Sequence, residues 1–179
     1  MQNLSAPRPL RSLLATALLL GGLACAHGSN AIAGTATPAE DAWTPSAEET
    51  AVYQALSMRD AGPPCEEIEA LAKDPVATLI SVTEHATMPP WVGVRATRCL
   101  TTRHAEEAKS TLAAWMADPE KRGLAFLIAD GLGDAPEPVA LDLARAGLAG
   151  PHAASLQKRL AKSTWPSVAA LANATPAAR

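Results

Sequence analysis

A chain of 179 residues and 18.5 kDa has room for one modest domain once its ends are discounted. The aromatic fraction is 3%, with one Tyr and one Phe, so the residues that build sheets are scarce and an all-helical fold is expected. The formal net charge is −3, and the mature chain is more negative still, which argues against free nucleic acid as a partner.

Arg8 and Arg11 precede "SLLATALLLGGLACA", an uncharged run ending in small residues, which marks residues 1–26 as a secretory signal peptide. The run falls short of the roughly 20 apolar residues of a spanning helix, so no membrane span is expected in the mature chain. Ala24-Cys25-Ala26 and Ala31-Ile32-Ala33 both supply the small-x-small pattern, leaving cleavage after Ala26 or after Ala33 open. Gly22-Leu23-Ala24-Cys25 also resembles a bacterial lipobox, although Gly22 stands where Leu is usual, so lipidation at Cys25 is a third alternative. The protein is expected to be exported, periplasmic or secreted, and membrane-anchored if Cys25 is lipidated. Loss of Arg8 and Arg11 leaves 13 basic against 18 acidic residues, a net charge near −5. Residues 27–45, rich in Ala, Gly, Ser, Thr and Pro, read as a flexible linker. Trp43, its one large apolar group, either docks back on the domain or stays accessible to something else.

From 46 to 175, proline and acid punctuation divides the chain into short helices. Ser46 caps the first, with Glu49 completing a capping box and Val52, Ala55 and Leu56 on the apolar side. A second opens at Pro63-Pro64 and presents Cys65, Ile68, Leu71 and Ala72 inward. Asp74-Pro75 starts a third, with Val76, Leu79, Ile80 and Thr83 inward. Pro89-Pro90 starts another at Trp91, which places Val92, Ala96, Cys99 and Leu100 on one side and Arg95, Arg98 and Thr102 on another. Ala108, Leu112, Trp115 and Met116 form the next stripe. Asp118 is expected to cap, and Pro119 to start, a helix whose apolar run Leu124 to Ala129 is buried on most sides, with Gly131 and Gly133 stopping it in left-handed conformations. Val139, Ala140, Leu143, Ala144 and Leu148 follow, then Leu156 and Leu160 after Pro151, and a short terminal helix from Pro166.

Export leaves two cysteines, Cys65 and Cys99, both facing inward in an oxidising compartment. An even number favours a disulfide over two buried thiols, and it would staple two helices separated by one. There is no CxxC pair to support redox catalysis or a zinc knuckle.

Pairs of short helices recur about every 30 residues, near 60–88, 89–118 and 118–150, as in a short α-solenoid whose end helices cap the stack. "DPEKRGLAFLIADGLGDAPEPVALDLARAGLAG" resembles a HEAT-like repeat of the short phycobilisome-lyase type. Asp118, Pro119, Arg122, Ala125, Leu132, Gly133 and Asp134 match, followed by Pro136, Glu137 and Val139. In "WVGVRATRCL", Val94, Arg95 and Leu100 match while Arg98 stands where a small residue is usual; the Asp74 unit keeps Asp-Pro and carries Thr78 in place of the Arg. The resemblance implies a stack of helix pairs in which Asp118, Arg122 and Arg95 link neighbouring units, and it speaks to fold more than to function.

A search for chemistry yields little. His85, His104 and His152 stand far apart, and the adjacent acids Glu66-Glu67-Glu69 and Glu106-Glu107 suit helix first turns, so no metal site is expected. No Gly-x-Ser-x-Gly elbow, HExxH, Walker loop or dinucleotide fingerprint occurs, and "DGLGD" lacks the further oxygen ligands of a calcium loop. A non-catalytic protein without cofactor is therefore expected, acting by protein–protein interaction or scaffolding in the cell envelope through an unidentified protein partner. Arg95, Arg98 and Thr102 are the candidate contact patch. The alternative is a small hydrophobic ligand or chromophore carrier using the solenoid groove, since relatives of this repeat type include chromophore lyases.

Overall fold

A computed structural model describes residues 43–175, and every regular element among them is helical. The expected signal peptide, both expected cleavage points, Cys25 and most of the expected 27–45 linker lie outside the described residues. Among the described residues nine α-helices follow in order: α1 Ala47–Ser57, α2 Cys65–Glu69, α3 Pro75–His85, α4 Trp91–Arg103, α5 Lys109–Ala117, α6 Arg122–Gly131, α7 Glu137–Ala149, α8 Ala153–Leu160 and α9 Pro166–Ala174. A 3-10 turn at Leu132–Asp134 extends α6.

Local chemistry sets several of the starts. Ser46 Oγ accepts from Glu49 N at 3.1 Å while Glu49 Oε2 accepts from Ser46 N at 2.7 Å, the reciprocal capping box that satisfies two orphan donors of α1. Asp74 Oδ1 accepts from Ala77 N at 3.0 Å, and Pro75, with no N–H to lose, occupies the first position of α3. Pro166 does the same for α9.

The start and stop of α6 differ from expectation. Asp118 follows the last residue of α5, and its Oδ1 is spent on Glu120 N at 2.8 Å in a turn, so α6 opens at Arg122. Its end involves no left-handed glycine. Gly131 has φ −88° and ψ −9°, and the one positive-φ glycine among the described residues is Gly62, at 71°. Gly131 and Gly133 instead permit close approach. A Cβ on Gly131 would lie 3.0 Å from Thr101 Cγ2 of α4, and one on Gly133 2.8 Å from Thr164 Oγ1. Leu124, Phe126 and Leu127 are half-buried, so α6 keeps a partly open face. Leu71 also departs from its expected inward stripe. Because α2 stops at Glu69, Leu71 is 41% exposed, whereas Val82 and Thr78 of α3 are buried.

One apolar core runs through the chain from Val52 to Ala172, anchored by Leu56, Leu79, Leu100, Trp115, Ile128 and Leu156. Each large side chain withdrawn from water contributes about 1.5–3 kcal/mol. Trp43 joins this packing from the expected linker, stacked on His85 at 5.8 Å and edge-on to Tyr53 at 6.2 Å.

Among helices adjacent in sequence the larger contacts join α3 to α4, α5 to α6 and α7 to α8, and equally extensive ones join α5 to α7, α4 to α6, α7 to α9 and α6 to α8. The close pairs are therefore one helix out of step with the units at 60–88, 89–118 and 118–150. Proline marks where a helix starts, but shared apolar faces decide which neighbour it packs on. Side-chain hydrogen bonds add further links at a similar reach. Trp91 Nε1 donates to Ser57 O across 34 residues, Trp115 Nε1 to Glu84 Oε1 across 31, and Trp165 Nε1 to Leu132 O across 33.

Candidate functional site

α4 carries the three residues expected to contact a partner, and the structure gives each a different job. Arg95 is half-buried. Its Nη1 donates to Leu56 O at 2.8 Å and Met58 O at 2.6 Å, and its Nη2 to Asp60 O at 2.5 Å. Those carbonyls end α1 and begin the loop beyond it, where helix geometry leaves acceptors unpaired. The loop turns around the guanidinium at Gly62, whose positive φ and lack of a Cβ allow an approach that would otherwise place a carbon 3.0 Å from Arg95 Nη1. Arg95 is thus a brace between α4 and α1, spent on backbone acceptors rather than offered to a partner.

Asp118 and Arg122 do not link units through their side chains. Asp118 makes its local turn, and its carbonyl lies 3.1 Å from His152 Nε2; Arg122 is exposed, its guanidinium 5.1 Å from the Phe126 ring centre.

One turn beyond Arg95, Arg98 is exposed and makes no ion pair among the described residues. Thr102 is half-buried and its hydroxyl donates to Arg98 O at 3.0 Å, so it is tied to its own helix. Arg98 stands between two depressions. On one side is a cleft of about 700 Å³ between α2 and α4, lined by Cys65, Arg95, Cys99, Thr102, Arg103 and Asp134 among others. On the other is a recess of about 260 Å³ formed by Val94, Leu127, Asp130, Gly131 and Asp134. Arg98 and Asp134 belong to both. Val94 is 42% exposed there, an apolar group beside an unpaired cation.

The Cys65 and Cys99 sulfurs lie at disulfide distance, 2.04 Å, with Cα atoms 5.5 Å apart, and they hold the start of α2 against α4. A polar cluster that the sequence did not reveal flanks them. Arg103 Nε donates to Glu69 Oε1 at 2.6 Å and Nη1 to Glu66 Oε1 at 2.6 Å, while His104 Nε2 lies 3.1 Å from Glu69 Oε1. Partial burial pushes the Glu69 carboxyl up, but the Arg103 hydrogen bond with the His104 and Arg103 charges outweighs it and holds the group below its usual value. The same pairing raises Arg103 above its ordinary range. Glu66 and Glu69 sit three apart on one turn, and placing α2 on α4 through the cysteines would have brought Arg103 to them.

The chemistry within reach is recognition of an acidic group by Arg98. The histidines serve locally: His85 Nδ1 lies 2.8 Å from Ser81 O, His104 sits between Glu69 and Glu107, and His152 meets Asp118 O. Among the described residues no group of three His, Cys, Asp or Glu side chains is placed to hold a metal ion, and no helix is long and apolar enough to cross a membrane. No protein-family model matches the chain, and searches of curated proteins and of solved structures return no match.

Proposed function

We propose that this is an exported, non-catalytic protein built as a short HEAT-like solenoid, which binds a partner protein through the face carried by α4 and α6. The repeat architecture is supported by reach. Nearly every side-chain hydrogen bond between helices joins residues 29 to 39 apart, as with Tyr53 to Met88 O (35), Arg103 to Glu69 (34) and Arg159 to Asp130 (29). A common offset near the length of a helix pair is what a stack of similar units produces, each touching the next.

The observation that carries the functional reading is the contrast between Arg95 and Arg98. The first is consumed by three carbonyls; the second, one turn away, has no ion-pair partner and stands at the junction of two depressions beside exposed Val94. An arginine with apolar surface next to it is the side-chain pairing that protein interfaces favour at their energetic centres. The charged lining of both depressions suits a protein surface better than a hydrophobic ligand or chromophore. The absence of any reactive motif from the sequence supports the non-catalytic reading, and the leader-like N-terminus with an even pair of later cysteines supports export.

The test is a crosslinked pull-down from the native cell envelope with mature protein, run beside Arg98→Glu. A partner recovered reproducibly with the wild type and lost with the variant is the expected result. Recovery unchanged by Arg98→Glu removes this face from the interaction. Arg95 is unsuitable for the same test because replacing it would loosen α1.

A further inference from the structure

The cleft between α6 and α8 has a different character from the Arg98 region. It measures about 790 Å³ and is lined by four cations, Arg122, Lys158, Arg159 and Lys162, against a single carboxylate, Asp130. In a chain of negative net charge this concentration has a local cause: Asp142 is the last acidic residue in the sequence, so α8 and the turn after it have no neighbouring acid of their own. Arg159 is neutralised, its Nη1 lying 2.7 and 2.5 Å from the two Asp130 oxygens. Arg122, Lys158 and Lys162 have no ion pair among the described residues.

Phe126 forms an ordered floor. The Arg122 and Arg159 guanidiniums lie 5.1 and 4.6 Å from its ring centre, so both are held against an aromatic face before any ligand arrives. Holding a cation in place beforehand reduces the ordering that binding would otherwise require. Lys158 lies in the last turn of α8 and Lys162 in the turn that follows it, and both exposed side chains line the cleft. Alternate side chains of an extended peptide project from one side at about 6.6 Å. A strand with carboxylates at every second residue presents its acids along one side, to a cleft lined by two flexible lysines and Arg122.

We propose that the α6/α8 cleft binds an extended, acidic peptide segment of the partner protein, with Lys158, Lys162 and Arg122 as the recognition residues and Phe126 with Arg159 as the preformed floor. This rests on the protein-binding reading above and names the chemistry of the partner. The cleft shares Asp130 with the recess beside Arg98, so one partner chain can engage both.

The probe is a fluorescein-labelled peptide alternating Glu and Thr over about ten residues, titrated by anisotropy against the mature protein with its disulfide intact at about 20 mM salt, where screening is weak. Saturable binding that weakens about tenfold or more in Lys158→Glu/Lys162→Glu is expected, since two ion pairs become two repulsions. Arg122→Glu is a second, independent variant, and all three side chains are exposed, so circular dichroism should be unchanged. A peptide alternating Lys and Thr should not bind. Absence of binding by the wild type, affinity retained in both variants, or tighter binding of tripolyphosphate in competition with the peptide overturns the assignment. If the peptide fails while the envelope partner is still captured and lost with Arg98→Glu, the cleft assignment falls and the protein-binding reading stands. If the peptide binds as expected but Arg98→Glu leaves partner capture intact, the Arg98 face falls instead.

Discussion

Arg95→Met removes charged donors from the carbonyls of Leu56, Met58 and Asp60 while keeping much of the aliphatic stem. Hydrogen bonds to a charged group contribute about 1.5–3 kcal/mol each at most, and they are not additive, so a loss of about 2–4 kcal/mol in urea unfolding is expected. Arg98→Ala, which severs no bond to a neighbour, should stay within about 0.5 kcal/mol. Equal effects of the two would contradict the division of labour along α4. Carboxylates make a second residue-scale prediction. The Glu49 carboxyl is held below its usual value first by the Ser81 hydroxyl, then by the Ser46 amide and hydroxyl, and Glu69 is depressed through Arg103 and His104 despite its burial. A group whose folded value lies below its unfolded one adds stability that is present above the unfolded value and lost as pH falls through the folded one. Melting temperature should therefore hold from neutral pH down to about 5 and fall below about 4.5. Glu49→Gln should lower the neutral plateau and flatten that acid limb; an unchanged slope would show that Glu49 carries none of it.

Between elements, the cysteine pair closes a chain segment spanning 34 positions, and a cross-link of that reach restricts the unfolded chain by about 2–4 kcal/mol. Cys65→Ser/Cys99→Ser should be weaker by that amount in urea, and alkylation of unfolded, unreduced protein should label neither cysteine in the parent. Labelling of both would mean that the staple does not form. This pairing was legible because Cys65 falls on the stripe of Ile68 and Cys99 on that of Val92 and Ala96. Ser46, Glu49, Asp74 and Pro75 were legible for the same kind of reason, since their signals are local. Asp118 was misread because an aspartate can serve a turn or a helix start, and sequence does not say which amide its oxygen meets. Gly131 and Gly133 were misread because glycine marks a positive φ or a close neighbour equally well; here the neighbours are Thr101 and Thr164. Arg95 and Arg98 look alike on a helical wheel. Separating them needed the path of the loop through Gly62.

Across the described residues, one core from Val52 to Ala172 and side-chain links between residues some 29 to 39 positions apart tie the helices to one another. α9 closes the far end: Val168 and Ala172 are buried, Trp165 Nε1 donates to Leu132 O and Ala135 O at 3.1 Å each, and Gln157 donates to Ala172 O at 2.8 Å. Ending the chain after Trp165 would remove the apolar cover that α9 gives α7 and α8 and leave Gln157 without its acceptors. A helix that covers its neighbours' apolar faces keeps them from water, so its loss is felt beyond the residues removed. The truncated protein should unfold at lower urea with its Trp fluorescence and far-UV ellipticity still moving together, because Trp91, Trp115 and Trp165 report on successive parts of one core. Separated transitions would mean that the α1–α4 end, with its disulfide, stands without the rest. In that case the cleft between α2 and α4 would survive truncation, while the recess that α6 lines beside Arg98 and the α6/α8 cleft would lose their support first.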